Sequence, residues 1–67
     1  MPIIRIELLP GRSQEQKQSF MEQVTQIACE TLNCPVETVD VIFTDVSSAD
    51  WAHAGRFYQP MPSPTQR

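Results

Sequence analysis

The order of apolar patterns along this chain constrains its fold more than any other feature. Residues 2–9 alternate as a strand does, with Ile4 and Ile6 on the same face. A helical pattern follows over residues 14–32, and a segment rich in β-branched and aromatic residues, 39–46, follows the helix. A strand, a helix and a second strand in that order predict an α+β fold, a small β-α-β protomer with parallel strands.

Local signals mark both ends of the predicted helix. Ser13 has the character of an N-cap, and Gln16 three residues later completes a capping box. Asn33 is a candidate left-handed C-cap, and Pro35 prevents the helix from continuing. The face predicted to lie on the sheet consists of Phe20, Val24, Ile27, Ala28 and Thr31.

The length of 67 residues predicts a single domain, 1–67, in which residues 56–67 form an extended Pro-rich tail. Domains of this size usually need disulfides, a metal or partner subunits to be stable. Cys29 and Cys34 are five apart, and with His53 as the single histidine they form no zinc pattern. We therefore expect no metal or cofactor, and we expect the chain to form an oligomer.

Composition excludes several classes of partner. The net charge of −3 argues against binding to nucleic acid, which requires a clustered cationic surface. No apolar run approaches the roughly 20 residues of a membrane span, so no membrane partner is expected. The N-terminus lacks a cationic region followed by an apolar run, which predicts a cytoplasmic protein with reduced cysteines.

A proline directly behind the initiator methionine has two interpretations. The first residue of a strand need not donate to the ladder, so Pro2 could simply begin the strand. If Met1 is removed, Pro2 instead becomes a free secondary amine. An α-amino group titrates at about 7.7–8.0, which suits a group that accepts and returns a proton near neutral pH.

Several segments together resemble the 4-oxalocrotonate tautomerase family. They are Pro2 behind Met1, LLPGRSQEQK at residues 8–17, the Cys-Pro turn at 34–35, and VIFTDV at 41–46 with the aromatic–small–Gly segment after it. The resemblance covers residues 2–55 and implies β-α-β protomers, commonly assembled as a hexamer of three dimers. It also implies an isomerase that interconverts the keto and enol forms of a small 2-oxo or 2-hydroxydienoic acid. The resemblance further implies that the terminal proline nitrogen is the general base or acid.

The resemblance assigns roles to particular residues. Pro2 is the catalytic amine, and Arg12 is the cation that holds a carboxylate or stabilises an enolate oxygen. Leu9 contributes through its backbone near the substrate. Trp51 aligns with an aromatic residue that lines the family's pocket, although packing at an interface is an equal alternative for it. The implied partner is a small-molecule carboxylate substrate.

Two positions depart from patterns of related enzymes. Asp40 stands where tautomerases of dicarboxylates carry a second arginine, which predicts a preference for monocarboxylic substrates. If Asp40 points into the pocket, it raises the pKa of Pro2. Arg56 or Arg5 could replace the missing cation. The related 3-chloroacrylate dehalogenases carry an arginine at the position of Leu9 and a glutamate at that of His53.

Two alternatives to a tautomerase therefore stay open. One is a hydratase or dehalogenase acting on unsaturated acids, with the titratable His53 activating water. The other is a non-catalytic subunit of a hetero-oligomer, in which Asp40 marks a lost binding function. Within the tautomerase reading, a homo-oligomer (hexamer or dimer) is expected.

Overall fold

The structure is a computed structural model that describes residues 2–58, and it confirms the β-α-β protomer. Strand β1 spans Ile3–Leu8, helix α1 spans Gln14–Leu32, and strand β2 spans Asp40–Asp45. Two short 3₁₀ helices, Val36–Thr38 and Ser48–Asp50, flank β2. Two further strands, β3 at Ala52–His53 and β4 at Arg56–Phe57, complete the described chain. Within the described residues, no helix combines the length and apolar character that a membrane span requires.

Strands β1 and β2 pair in parallel, as predicted. The register runs from Ile3 opposite Asp40 to Leu8 opposite Asp45. At the N-terminal end of the two strands, one further hydrogen bond extends the ladder: the Asp40 amide donates to the Pro2 carbonyl at 3.0 Å. At the other end, the Val46 amide donates to the Leu8 carbonyl at 2.8 Å. Each strand is shorter than its predicted range by one residue at either end.

The predicted caps of α1 are confirmed. The Ser13 hydroxyl accepts from the Gln16 amide at 3.0 Å, and the Gln16 side chain accepts from the Ser13 amide at 2.9 Å. Asn33 is left-handed with φ 56°, and its amide donates to the Cys29 carbonyl. The Cys34 amide donates to the same carbonyl at 3.3 Å, so the Cys29 carbonyl accepts two hydrogen bonds where the left-handed cap ends the helix.

The predicted sheet-facing stripe of α1 is only partly right. Val24 and Ala28 are covered, but Ile27 is 60% exposed, Phe20 is 48% exposed and Thr31 is also exposed. The covered side includes residues that the apolar pattern passed over, namely Lys17, Met21, Thr25 and Cys29. The prediction assumed that the side facing the sheet contains only apolar residues. The observed side is mixed, because the aliphatic part of the Lys17 side chain also packs there.

The protomer has a core on one side of its sheet only. Ile4, Ile6, Val41 and Phe43 point toward α1 and are half-buried. The opposite face is uncovered, and its apolar members Ile3 and Ile42 are 53% and 39% exposed. Among residues 2–58, Ala28 is the single buried hydrophobic residue. One helix therefore covers one sheet face and leaves the other to solvent.

A small hairpin follows β2 that the sequence analysis did not predict. Strand β3 pairs antiparallel with β4, with His53 opposite Arg56. Ala54 and Gly55 between them have φ 55° and 81°, the positive values that a two-residue hairpin turn of type I′ requires. The predicted tail 56–67 overlaps β4 in its first two residues. The rest of it, from residue 59, lies outside the described residues and stays a prediction.

Candidate active site

The predicted site residues divide between the two ends of β1. Pro2 immediately precedes the strand, and Arg12 lies in the loop that follows it. Six strand residues at about 3.3 Å each separate the two ends by roughly 20 Å. Pro2 and Arg12 of the same chain are therefore too far apart to hold one small substrate.

Asp40 lies at the Pro2 end. As the first residue of β2 it stands opposite Ile3, and its amide donates to the Pro2 carbonyl at 3.0 Å. Asp40 is exposed. Over residues 2–58 the ion pair found is Lys17 with Asp45, and Asp40 takes part in none. An aspartate whose carboxylate forms no ion pair among residues 2–58 is thus joined through its backbone to the residue that carries the candidate base.

Arg12 lies at the other end, beside an apolar cavity. Gly11 has φ 119°, a conformation that favours glycine, and it turns the chain out of β1 toward the Ser13 cap. The cavity has a volume of about 280 Å³ and is lined by Ile6, Leu8, Arg12, Gln16, Lys17, Phe20 and Phe43. Two cationic side chains beside aliphatic and aromatic walls suit a small anion with an apolar body.

The second cation of this cavity, Lys17, was not singled out by the sequence analysis. Its Nζ lies 3.5 Å from Asp45 Oδ1 and 5.8 Å from the centroid of the Phe43 ring. Phe20 packs edge-on against Phe43, with ring centroids 6.2 Å apart. Lys17 is thus partly neutralised, and Arg12, without an ion pair in residues 2–58, is the stronger anion-binding candidate. The sequence did contain one indication of this position. Lys17 lies in the first turn of α1, four residues before Met21, and residues four apart share one side of a helix.

Trp51 lines a different cavity from Arg12. It is half-buried beside Glu7, Val46, Asp50 and Ala52, around a volume of about 200 Å³. Because it lines this cavity together with Glu7 and Val46, Trp51 lies near the end of β1 that Arg12 follows. Its ring packs on that of Tyr58 at 6.1 Å between centroids, and its carbonyl accepts from the Tyr58 amide at 2.7 Å.

The other predicted site residues have less defined surroundings. Leu9, half-buried, directly follows β1. His53 and Arg56 are cross-strand neighbours in the hairpin, and both are exposed. Neither has a hydrogen bond or ion pair that would fix its side chain among residues 2–58. The structure brings these two together with each other but not with Pro2.

Metal-ligating side chains and the Cys29 thiol are the other features of the described chain with a bearing on chemistry. Across residues 2–58, no three His, Cys, Asp or Glu side chains are grouped closely enough to hold a metal ion. Desolvation raises the pKa of the Cys29 thiol, and the charges of Cys34, Glu37 and Glu30 raise it further. A thiol with a raised pKa is a poor nucleophile at neutral pH.

Comparison with known proteins relates the whole described chain to one family. The family model described as "Tautomerase enzyme" matches residues 2–58. A probable tautomerase of Ralstonia nicotianae is 42% identical over 55 residues, which are 82% of this chain and 79% of that protein. The 2-hydroxymuconate tautomerase of Comamonas testosteroni is 40% identical over 55 residues, covering 82% of this chain and 87% of that protein.

Solved structures agree with the sequence comparison. The crystal structure of TomN, a 4-oxalocrotonate tautomerase homologue in the tomaymycin biosynthetic pathway, superposes with a TM-score of 0.79 at 41% identity. The match covers 84% of this chain and 86% of TomN. The similarity therefore extends over the strand–helix–strand unit and the segments that carry both ends of the divided site.

Proposed function

Since this chain belongs to the 4-oxalocrotonate tautomerase family, we propose that it is an isomerase that interconverts the keto and enol forms of a small 2-oxo or 2-hydroxydienoic acid. Membership of the family supports tautomerase activity in general. The observation that carries the finer proposal is the division of the site. A candidate amine lies at one end of β1, and at the other lies a guanidinium that forms no ion pair among residues 2–58.

In the proposed reaction the Pro2 nitrogen, freed by removal of Met1, moves a proton between oxygen and carbon. A secondary amine near neutrality can both accept and return the proton, which is what interconversion of enol and ketone requires. The Arg12 guanidinium holds the substrate carboxylate through two parallel hydrogen bonds and offsets the charge that develops on the enolate oxygen. Trp51 and Leu9, at the same end of β1 as Arg12, limit the access of water to the bound substrate.

We further propose that Pro2 and Arg12 of one site come from different copies of the chain. The roughly 20 Å between them along β1 supports this arrangement. The uncovered sheet face, with Ile3 and Ile42 exposed, supports association of copies independently of the chemistry. A homo-oligomer, either a hexamer or a dimer, would cover that face and bring the two ends together in one assembly.

The decisive experiment combines the mass of the purified protein with two proline variants. The mass should show the loss of one methionine, because a retained Met1 leaves the Pro2 nitrogen as an amide without basicity. Activity is followed on a generic enol, phenylenolpyruvate. Pro2→Ala should reduce kcat by about tenfold to a hundredfold, less than complete loss of an acid–base group because a primary amine remains.

Pro10→Ala is the matched control, since Pro10 is an exposed proline in the loop after β1. It should retain wild-type kcat. If Pro2→Ala and Pro10→Ala are equally active, Pro2 has no part in the mechanism. An inactive wild-type protein that co-purifies with an active relative would instead favour the non-catalytic subunit, for which the carboxylate of Asp40 beside Pro2 is the supporting observation.

A further inference from the structure

The carboxylate of Asp40 lies at the same end of the sheet as Pro2 and can influence the protonation of its amine. We propose that Asp40 holds the Pro2 amine in its protonated form at neutral pH, so that Pro2 acts first as a proton donor to the substrate carbon. Asp40 is a positioning residue in this scheme, since it acts through Pro2. The inference rests on the proposed function, because it requires a free amine at Pro2.

The pairing of β1 with β2 determines how close the two groups lie. The Asp40 amide donates to the Pro2 carbonyl at 3.0 Å, and the amine and carbonyl of Pro2 belong to the same residue. The aspartate side chain is short, with one methylene before the carboxyl group. Standard covalent dimensions therefore keep the carboxylate within about 10 Å of the amine. An opposite charge at such a distance favours the ammonium form.

The other charged groups on the neighbouring elements do not reverse this effect. Arg5 shares the outer sheet face with Asp40, but it lies two residues further along β1 and makes no ion pair with Asp40 in the described chain. Glu37 on the adjoining 3₁₀ helix and Glu30 in the last turns of α1 are anionic. The remaining titratable group nearby on α1 is the Cys29 thiol, whose raised pKa keeps it neutral.

A protonated Pro2 favours one order of events. The electrons of the enol double bond take the ammonium proton and form the new C–H bond, an oxygen lone pair forms the second bond of the new C=O, and the enol O–H proton leaves to water. Pro2 is left neutral and takes a proton from solvent. Activity in this direction requires the ammonium form, so it should fall as the pH rises through the pKa of Pro2, and a higher pKa moves that fall to higher pH.

The direct test is titration of the amine in protein labelled with [¹⁵N]proline. The chain contains six prolines. Five of them are tertiary amides that do not titrate, so a single pH-dependent ¹⁵N signal would belong to Pro2. In the wild type its pKa should lie above the ordinary α-amino range of about 7.7–8.0. In Asp40→Asn, which keeps shape and removes charge, it should fall by between a few tenths of a unit and about one unit.

Two further variants make the test specific. Asp40→Glu keeps the charge and should retain most of the elevation. Glu22→Gln removes one negative charge from the exposed side of α1 and should leave the titration unchanged. The high-pH limb of kcat/KM should move with the ¹⁵N midpoint in each variant, which a merely structural role for Asp40 would not produce.

The outcomes separate this inference from the proposed function. If no proline nitrogen titrates, Pro2 carries no free amine and the proposed function fails. If Pro2 titrates but Asp40→Asn leaves its pKa unchanged, the inference alone fails. A wild-type pKa of Pro2 at or below the ordinary α-amino range overturns the inference as well. That measurement uses the wild-type protein alone and does not depend on the folding of any variant.

Discussion

Mixing two impaired variants should restore activity, because β1 keeps Pro2 and Arg12 of one chain apart. Pro2→Ala replaces the proline amine at one end of the strand with a less effective primary amine, and Arg12→Ala removes the guanidinium at the other. Loss of hydrogen bonds to a charged group costs about 1.5–3 kcal/mol, so Arg12→Ala alone should lower kcat/KM by roughly ten- to a hundredfold. Each variant by itself carries one defect in every site.

The expected recovery follows from counting. After unfolding and joint refolding of equal amounts, half of the Pro2 positions and half of the Arg12 positions are intact. If each site takes the two residues from different copies at random, one quarter of the sites are complete, and activity should reach about a quarter of wild type. If both residues came from the same chain, no site would be complete and nothing would be regained.

A second mixture makes the distinction quantitative. Wild type refolded with an equal amount of the double variant Pro2→Ala/Arg12→Ala should also give about a quarter of wild-type activity, against one half when each chain builds its own site. Phenylenolpyruvate ketonisation, normalised to total chain, is the assay. Each protein refolded alone controls for losses in refolding. A result of zero for the first mixture and one half for the second would refute the divided site.

Two further outcomes are expected. Ser13→Ala removes the hydroxyl that accepts from the Gln16 amide, and should lower the free energy of unfolding by about 1 kcal/mol. Urea unfolding at fixed protein concentration measures this, and no loss would mean that the cap adds nothing. Asp40→Arg replaces a repelling charge with an attracting one, so it should raise kcat/KM for a dicarboxylate such as 2-hydroxymuconate relative to a monoacid. An unchanged ratio would show that residue 40 does not reach the substrate.

The sequence predicted those parts of the fold that local chemistry determines. The capping box and the left-handed Asn33 need only neighbouring residues, and they fix both ends of α1 to the residue. The side of the helix that meets the sheet is a non-local property. Ile27 is apolar and yet 60% exposed, while Lys17 lies on the covered side, so apolar identity alone could not predict it.

The hairpin was missed for a related reason. Strands of two residues, Ala52–His53 and Arg56–Phe57, are too short for any alternation to appear. The turn between them uses Ala54 at φ 55°, where asparagine, aspartate or glycine would have been a recognisable signal. Its partner Gly55 alone was not enough to predict a turn of this type.

The proposed site chemistry and the proposed assembly of the site draw on the sequence to different degrees. Resemblance to a family supplied the residue types at Pro2 and Arg12, because motif and chemistry are both carried by short stretches of sequence. The strand between them was also visible in the sequence, and its length already forbids a site within one chain. What no local pattern could supply was the hydrogen bond that places Asp40 beside Pro2, since this depends on the register between strands distant in sequence.

The charges at the two ends of the strand give the proposed site a direction. The Pro2 end carries Asp40, and the Arg12 end carries a guanidinium beside an apolar cavity. When two copies bring these ends together, a substrate with one carboxylate is attracted to Arg12 and repelled by Asp40. Both forces turn the carboxylate away from Pro2 and leave the enol carbon nearest the amine. A substrate with a carboxylate at each end should bind less favourably, because either orientation brings one negative charge toward Asp40. The same aspartate would therefore select the substrate, orient it and keep Pro2 protonated.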